Sequence, residues 1–212
     1  MSDQTVVLAS RNKGKVRELA VLLRPFGIAV QSLENFPEVG EIEENGRTFA
    51  ENALLKARIV SAITGRIAIA DDSGLEVDAL NGAPGVYSAR YSEEPGKPAT
   101  DEKNNRKLLR AMRDVPDKER AARFCCAMAA CAPDGRHIIA QAAWEGFLAR
   151  APAGTNGFGY DPLFLVPELG VMSAELSPEE KNARSHRSQA VEKLLAMWPA
   201  FWEYAHKVVI PQ

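Results

Sequence analysis

Asp71 and Asp72 stand side by side where an apolar run, Ile67, Ala68, Ile69 and Ala70, gives way to Ser73 and Gly74. Two carboxylates at the end of a buried strand are costly unless something positive answers them. A divalent cation is one such answer. A turn opened by Asp and closed by Gly74 is the plainer one, and the tetrapeptide alone does not choose between them.

Further residues suggest what that cation would serve. Glu44 closes an acidic, turn-rich stretch that also holds Glu38, Glu41 and Glu43. Glu44 and Asp72 are hard oxygen ligands of the kind Mg2+ takes, with phosphates and waters completing an octahedron. A carboxylate beside such an ion can orient or deprotonate water for attack on phosphorus. Ser10, Arg11, Asn12, Lys13, Gly14 and Lys15 lie between a strand and a helix, where free amides and the positive helix end hold phosphate. The glycine run of a P-loop is missing and the lysines come early, so a solvated basic helix start reads equally well. Lys56, on the next helix, either neutralises phosphate or snorkels from the surface. Phe158, Gly159, Tyr160 and Asp161 occupy a loop rich in glycine, and Lys181, Ser185, His186 and Arg187 follow it. Aromatic faces can cover a purine while polar groups read its edge. Core packing of the two rings and a satisfied surface imidazole are the ordinary alternatives.

The elements that must position these groups are legible from periodicity. Residues 5–9 form a strand, and helical spacing follows over 15–23, with Val16, Leu19, Ala20 and Leu23 on one face. A second strand spans 28–32. Thr48 caps a helix that runs to Gly65, with Glu51 placed for a capping box. Residues 67–70 are the next strand, and 75–80 extend beyond the carboxylate turn. A helix over 101–112, a hairpin of 121–132 with 137–147, a short strand at 164–166 and a helix over 190–198 ended by Pro199 complete the chain. Strand, loop and helix at the start, followed by antiparallel hairpin, predict an α/β fold with a mixed sheet.

With 212 residues, 46% of them hydrophobic, the chain suffices for one core or two small lobes, without a second full domain. A net charge of -2 supplies no global field toward nucleic acid or membrane, so phosphate binding has to be local. The apolar runs fall short of a membrane helix. Ser2, Asp3 and Gln4 replace the basic and apolar parts of a signal segment, so cytoplasmic residence is expected. Cys125, Cys126 and Cys131 read as small buried residues in a reducing compartment, without partners at zinc spacing.

Taken together, Ser-Arg-Asn-Lys-Gly-Lys at 10–15, Thr-Phe-Ala-Glu-Asn-Ala-Leu-Leu-Lys-Ala at 48–57, Ala-Asp-Asp-Ser-Gly-Leu at 70–75, Gly-Ala-Pro-Gly-Val-Tyr-Ser-Ala-Arg-Tyr at 82–91, Gly-Phe-Gly-Tyr-Asp-Pro at 157–162 and Ser-His-Arg at 185–187 closely resemble the inosine triphosphate pyrophosphatase family. The resemblance covers nearly the whole chain, in order. It implies one domain over residues 1–212, with a strongly twisted mixed central sheet flanked by helices and two lobes around an active-site cleft. It also implies hydrolysis of ITP, dITP, XTP and dXTP to the monophosphate and pyrophosphate, which removes these nucleotides before polymerases use them. On the matching positions, Ser10, Arg11, Asn12, Lys13, Gly14 and Lys15 would cradle the triphosphate and Lys56 would help neutralise it. Glu44 and Asp72 would bind Mg2+, Asp72 would also be the general base, and Ser73 would touch substrate. Phe158, Gly159, Tyr160, Asp161, Lys181, His186 and Arg187 would form the nucleoside pocket, leaving Asp71 to fix the turn or a nearby lysine. Arg11 departs from the family, which commonly has a small residue there. A homodimer is implied, with no stable nucleic acid partner and no membrane association. A related Maf-like pyrophosphatase of modified pyrimidine or methylated nucleotides is the alternative.

Overall fold

A computed structural model describes residues 4–206, so Ser2 and Asp3 lie outside the described residues. The elements are β1 (Gln4–Leu8), α1 (Lys13–Leu23), β2 (Ile28–Ser32), α2 (Phe49–Thr64), β3 (Ala68–Val77), α3 (Asp101–Ala111), β4 (Ala121–Cys131), β5 (His137–Leu148), β6 (Phe164–Val166), β7 (Val171–Met172), α4 (Pro178–Asn182) and α5 (His186–His206). The strands form one sheet in the order β2-β1-β3-β4-β5-β6-β7. β1 runs parallel to β2 and to β3, whereas β5–β6 and β6–β7 are antiparallel, which makes the sheet mixed as expected. The parallel register Val7 to Ala68 and Leu8 to Ile69 aligns the end of β1 with the start of β3.

Two compact units are distinguishable: Met1–Asp72, Ala127–Gln141 and Arg187–Gln212 form the first, Ser73–Cys126 and Ala142–His186 the second. In the first, Val6, Val7, Leu8, Leu19, Leu23, Ala57, Val60 and Ile69 are fully buried. The α1 stripe read from the sequence supplies Leu19 and Leu23 to this core. Thr48 caps α2 by accepting from the Glu51 N–H, but the Glu51 carboxylate reaches back to the Arg47 N–H rather than to Thr48, so the capping box is not closed. Gly65 ends α2 at φ 65°, a left-handed conformation that favours a residue without Cβ.

In the second unit the core includes Leu75, Leu108, Met112, Phe124, Trp144, Leu163 and Phe164. The Phe164 ring lies 4.5 Å from that of Phe124 and 5.2 Å from that of Trp144. Beside this core Arg120 is only 3% exposed. Its guanidinium donates to the carbonyls of Leu148 (2.8 Å), Met112 (2.6 Å) and Ala149 (3.0 Å). One side chain thus gathers the end of α3 and the end of β5.

The largest departures from the expected boundaries are in β3 and α5. β3 continues from Ala68 through both aspartates to Val77 instead of turning at Ser73 and Gly74. The carboxylates are answered by cations, so the strand need not break to reach water. Pro199 lies inside α5 rather than ending a helix. A mid-helix proline costs about 3 kcal/mol, but Trp198 and Phe201 on either side are buried, and the Trp198 indole N–H donates to Gln4 at 2.6 Å.

The three cysteines are free thiols, Cys126 and Cys131 buried and Cys125 half-buried. Burial, with Glu76 adding to it, pushes the Cys125 thiol up to about 12, as expected of an inert packing residue.

Replacing Arg120 with Met strands the carbonyls it serves. We expect a loss of about 3 kcal/mol in urea unfolding, with Arg120→Lys recovering only part of it because an ammonium lacks the planar fork.

Candidate active site

The first unit gathers most of the charged residues singled out above. Asp71 is 1% exposed and Asp72 6%. Lys15 Nζ lies 2.9 Å from Asp71 Oδ2, and Arg187 Nε lies 3.5 Å from the same oxygen. Arg187 also donates through Nη1 to Glu18 at 2.5 Å. Lys56 bridges the other pair, 2.8 Å from Glu44 and 3.5 Å from Asp72. The two metal-ligand candidates therefore converge on one cationic group.

Local structure explains how these side chains arrive. Lys13, Gly14 and Lys15 form the first turn of α1. The Asn12 side chain caps it by accepting from the Lys15 N–H at 3.1 Å, and Ser10 Oγ accepts from the Asn12 N–H at 3.2 Å. The helix start is thus ordered by its own polar residues, with Lys13 and Gly14 exposed. Arg11 is turned elsewhere, its guanidinium donating to the carbonyls of Val39 and Gly40. Lys56 projects from α2, four residues after Asn52 and so on the same face.

Asn52 was not among the residues read from the sequence. It is fully buried, donates through Nδ2 to Asp72 Oδ2 at 3.0 Å and accepts through Oδ1 from the Gly46 N–H at 2.7 Å. One amide thereby ties the acidic loop to the strand carboxylate. A Cβ on Gly46 would stand 2.5 Å from Asn52 Oδ1, so only glycine permits that approach. Glu18 was missed as well. Both stand one helical turn from a recognised lysine, a spacing that would have pointed to them.

Burial and charge act in opposite senses on the two aspartates. Burial alone would raise Asp71, but Lys15, Arg187 and Lys56 outweigh it and hold its carboxyl well below the usual range. For Asp72 burial prevails, with Glu44 adding to it against Lys56, Lys15 and the Asn52 hydrogen bond, and its pKa is raised. Burial would lower the pKa of Lys56, yet Asp72, Asp71 and Glu44 raise it, so the ammonium stays charged. Asp71 is thus a fixed anion. Asp72 is the carboxylate with the greater proton affinity, as a general base requires. Among the described residues no group of three or more His, Cys, Asp or Glu is arranged to hold a metal.

The second unit holds Ser73, which directly follows Asp72, and the glycine loop. Asp161 is 1% exposed. It accepts from Lys181 Nζ at 2.6 Å, the Phe158 N–H at 2.9 Å and Ser173 Oγ at 3.0 Å. A Cβ at Gly157 would collide with the Asp161 carboxylate. Lys181 Nζ also lies 5.1 Å from the Phe158 ring centroid. Tyr160 is a core residue whose hydroxyl donates to the Ser88 carbonyl at 2.8 Å. His186 is buried with its ring stacked on Phe124 at 4.9 Å. The structure therefore brings Phe158, Asp161 and Lys181 together, and places Arg187 with Glu18 and Asp71. No sequence spacing pointed to Ser173.

Substituting Leu for Asn52 leaves the Gly46 N–H and Asp72 Oδ2 without this partner, and urea denaturation should show a loss of about 2 kcal/mol. A carboxyl with a folded-state pKa below its unfolded value of about 3.9 stabilises the fold above that value and loses the contribution as pH falls through the folded value. Asp71→Asn should accordingly be less stable than wild type at pH 7. The gap should narrow below about pH 4.

A model of the Ham1 family matches residues 6–197. A dITP/XTP pyrophosphatase of Nitratidesulfovibrio vulgaris is 61% identical over 205 residues, covering 95% of this chain and 99% of the relative. A dITP/XTP pyrophosphatase of Escherichia coli K12 is 54% identical over 194 residues, with 91% and 96% covered. Among solved structures, a HAM1 protein from Coxiella burnetii is similar with a TM-score of 0.83 at 45% identity, covering 93% of this chain and 99% of that one. At this identity and coverage, with the strand carboxylates, their lysines and the glycine loop all inside the matched span, the chain belongs to the Ham1 family.

Proposed function

We propose that this protein is a nucleoside triphosphate pyrophosphatase that hydrolyses dITP, ITP, XTP and dXTP to the nucleoside monophosphate and pyrophosphate, clearing non-standard purines before they enter DNA or RNA. The observation that carries the reading is the pairing of Asp72, buried and of raised proton affinity, with Lys56 and Glu44 in a chain whose relatives are dITP/XTP pyrophosphatases. The Maf-like alternative finds no support among these relatives and is set aside.

The first unit supplies the phosphate chemistry. The amides of the first turn of α1 and the Lys13 and Lys15 ammonium groups hold the triphosphate, with Ser10, Asn12 and Gly14 shaping the loop and Arg11 contributing its backbone. Lys56 neutralises charge as it shifts toward the leaving pyrophosphate. Asp72 takes the proton of a water whose oxygen attacks the α-phosphorus. The bond from that phosphorus to the bridging oxygen breaks, and pyrophosphate leaves with the electron pair. Glu44 and Asp72 are the residues that would hold Mg2+, and two hard carboxylates converging on one cationic point fit an ion that draws its other ligands from phosphate and water. Bound there, Mg2+ supplies charge neutralisation and gathers the phosphates. Arg187 holds Asp71, and through it the strand.

The second unit supplies base recognition. Phe158 offers a face for the purine, and Gly159, Tyr160 and Asp161 set the loop that carries it. Lys181, beside the Phe158 ring, and His186 are the polar groups placed for the base and its sugar, and Ser73 meets the substrate after Asp72. A donor facing the oxygen at purine position 6 accepts hypoxanthine and xanthine and meets a donor in adenine, a mismatch that leaves buried groups unpaired. Residues 1–212 act as a single catalytic domain, in a cytoplasmic homodimer without nucleic acid or membrane partners. No described helix is long and apolar enough to cross a membrane.

Pyrophosphate release should be fastest with ITP and XTP, slow with GTP and absent with methylated pyrimidine triphosphates; activity confined to the last group overturns the assignment. Asp72→Asn should lower kcat by about 10²- to 10⁴-fold while ITP binding, followed by calorimetry, persists. Unchanged turnover removes Asp72 from the base role. Chelation with EDTA should abolish release, and added Mg2+ should restore it.

A further inference from the structure

The motif at residues 82–91 and helix α3 have no part in the chemistry above, yet the Ser88 carbonyl and the polar side chains of α3 converge on the loop that carries Phe158. Asp101 and Asn105 stand one turn apart on α3 and grip the two polar groups of a single residue. Asp101 Oδ2 accepts from the Gly159 N–H at 2.7 Å, and Asn105 Nδ2 donates to the Gly159 carbonyl at 2.9 Å. Gly159 adopts φ 63°, a conformation that ordinary side chains avoid and that leaves its peptide groups dependent on outside partners.

The clamp is anchored from behind. Asn104 donates to the carbonyls of Ser88 (3.2 Å) and Ala89 (3.1 Å) and accepts from the Ser92 N–H at 2.8 Å. Ser88 Oγ accepts from the Leu75 N–H on β3 at 2.9 Å, and the Ser88 carbonyl receives the Tyr160 hydroxyl. Asn105 Oδ1 is buried without a hydrogen-bond partner. Flipping the amide would set that oxygen against the Gly159 carbonyl, so the orientation that grips Gly159 is the one that stands.

We propose that Asp101 and Asn105 are positioning residues for the base platform, setting the height and angle of Phe158 through the Gly159 peptide groups, with the 82–91 motif as their anchor. This rests on the assignment of Phe158 to the purine made above. The clamp acts before the chemical step and touches neither phosphate nor water. Its loss therefore weakens nucleotide binding in the ground state and transition state alike and leaves turnover at saturation intact.

The test is steady-state hydrolysis of ITP by wild type, Asp101→Ala, Asn105→Leu and Asp101→Asn, with hydrogen exchange of the Gly159 amide followed in the same proteins. We expect KM to rise about tenfold for each of the first two, the loss of one good hydrogen bond, with kcat within about twofold and faster Gly159 exchange. Asp101→Asn keeps an acceptor oxygen and should return KM to within about threefold of wild type. A merely structural role would lower kcat through the folded fraction and leave KM alone, and that result overturns the proposal, as does an unchanged KM in Asp101→Ala. Should Asn105→Leu fail to fold, the exposed Asp101 still decides the matter. Wild-type protein inactive on ITP would instead overturn the functional reading and this inference with it.

Discussion

Everything in the first unit is arranged around two adjacent carboxylates that have been taken out of water. An ionised aspartate in a buried strand loses several kcal/mol of solvation, and here two do so in consecutive positions of β3. Because successive side chains of a strand point to opposite faces, each takes a different nearest cation, although Lys15 and Lys56 act on both. Asp71 takes Lys15 from the first turn of α1 and Arg187 from the start of α5, while Asp72 takes Lys56 and Asn52 from α2. The solvation demand of one dipeptide thus explains why three helices present polar groups to a sheet whose neighbouring residues are aliphatic.

The same demand separates the two carboxylates in proton affinity. Asp71 faces cations strong enough to keep it ionised, and Asp72 remains nearer to protonation because burial, with Glu44 adding to it, outweighs Lys56. Two identical side chains acquire a structural and a chemical character from their surroundings alone, the general route by which proteins divide labour between neighbouring carboxylates. Asn52 completes the arrangement by fixing one oxygen of Asp72 and the backbone that leads from Glu44.

In the second unit close approach of backbone plays the corresponding part. Gly154 packs against the Ala174 backbone and Gly157 against the Asp161 carboxylate, each too near for a Cβ. Asp161, satisfied by an ammonium, an amide and a hydroxyl, pins the loop from within, and Asp101 with Asn105 pins it from α3. Sequence motifs placed Gly157 and Asp161 in one stretch, residues 157–162. They did not show that Asp161 is turned inward, because a carboxylate in a loop looks the same on paper whether it faces solvent or a lysine twenty residues later.

Local chemistry determined much of this protein from the sequence by itself. The Thr48 cap, the stripe Leu19 and Leu23, and the hairpin of β4 and β5 all depend on neighbours within a few residues, and they stand where periodicity and capping rules put them. The motif residues of the candidate site were legible for the same reason, and the structure adds that Lys56 pairs with Glu44 and Asp72. Only the tertiary structure decided that β3 runs straight through its aspartates, that α5 continues past Pro199, that Tyr160 belongs to the core, that Arg187 serves Asp71, and that Asn52 reaches Asp72 and Glu18 reaches Arg187. Each of these depends on a partner far away in sequence. A buried charge or a mid-helix proline is tolerated only when such a partner is present, and no local rule records whether it is.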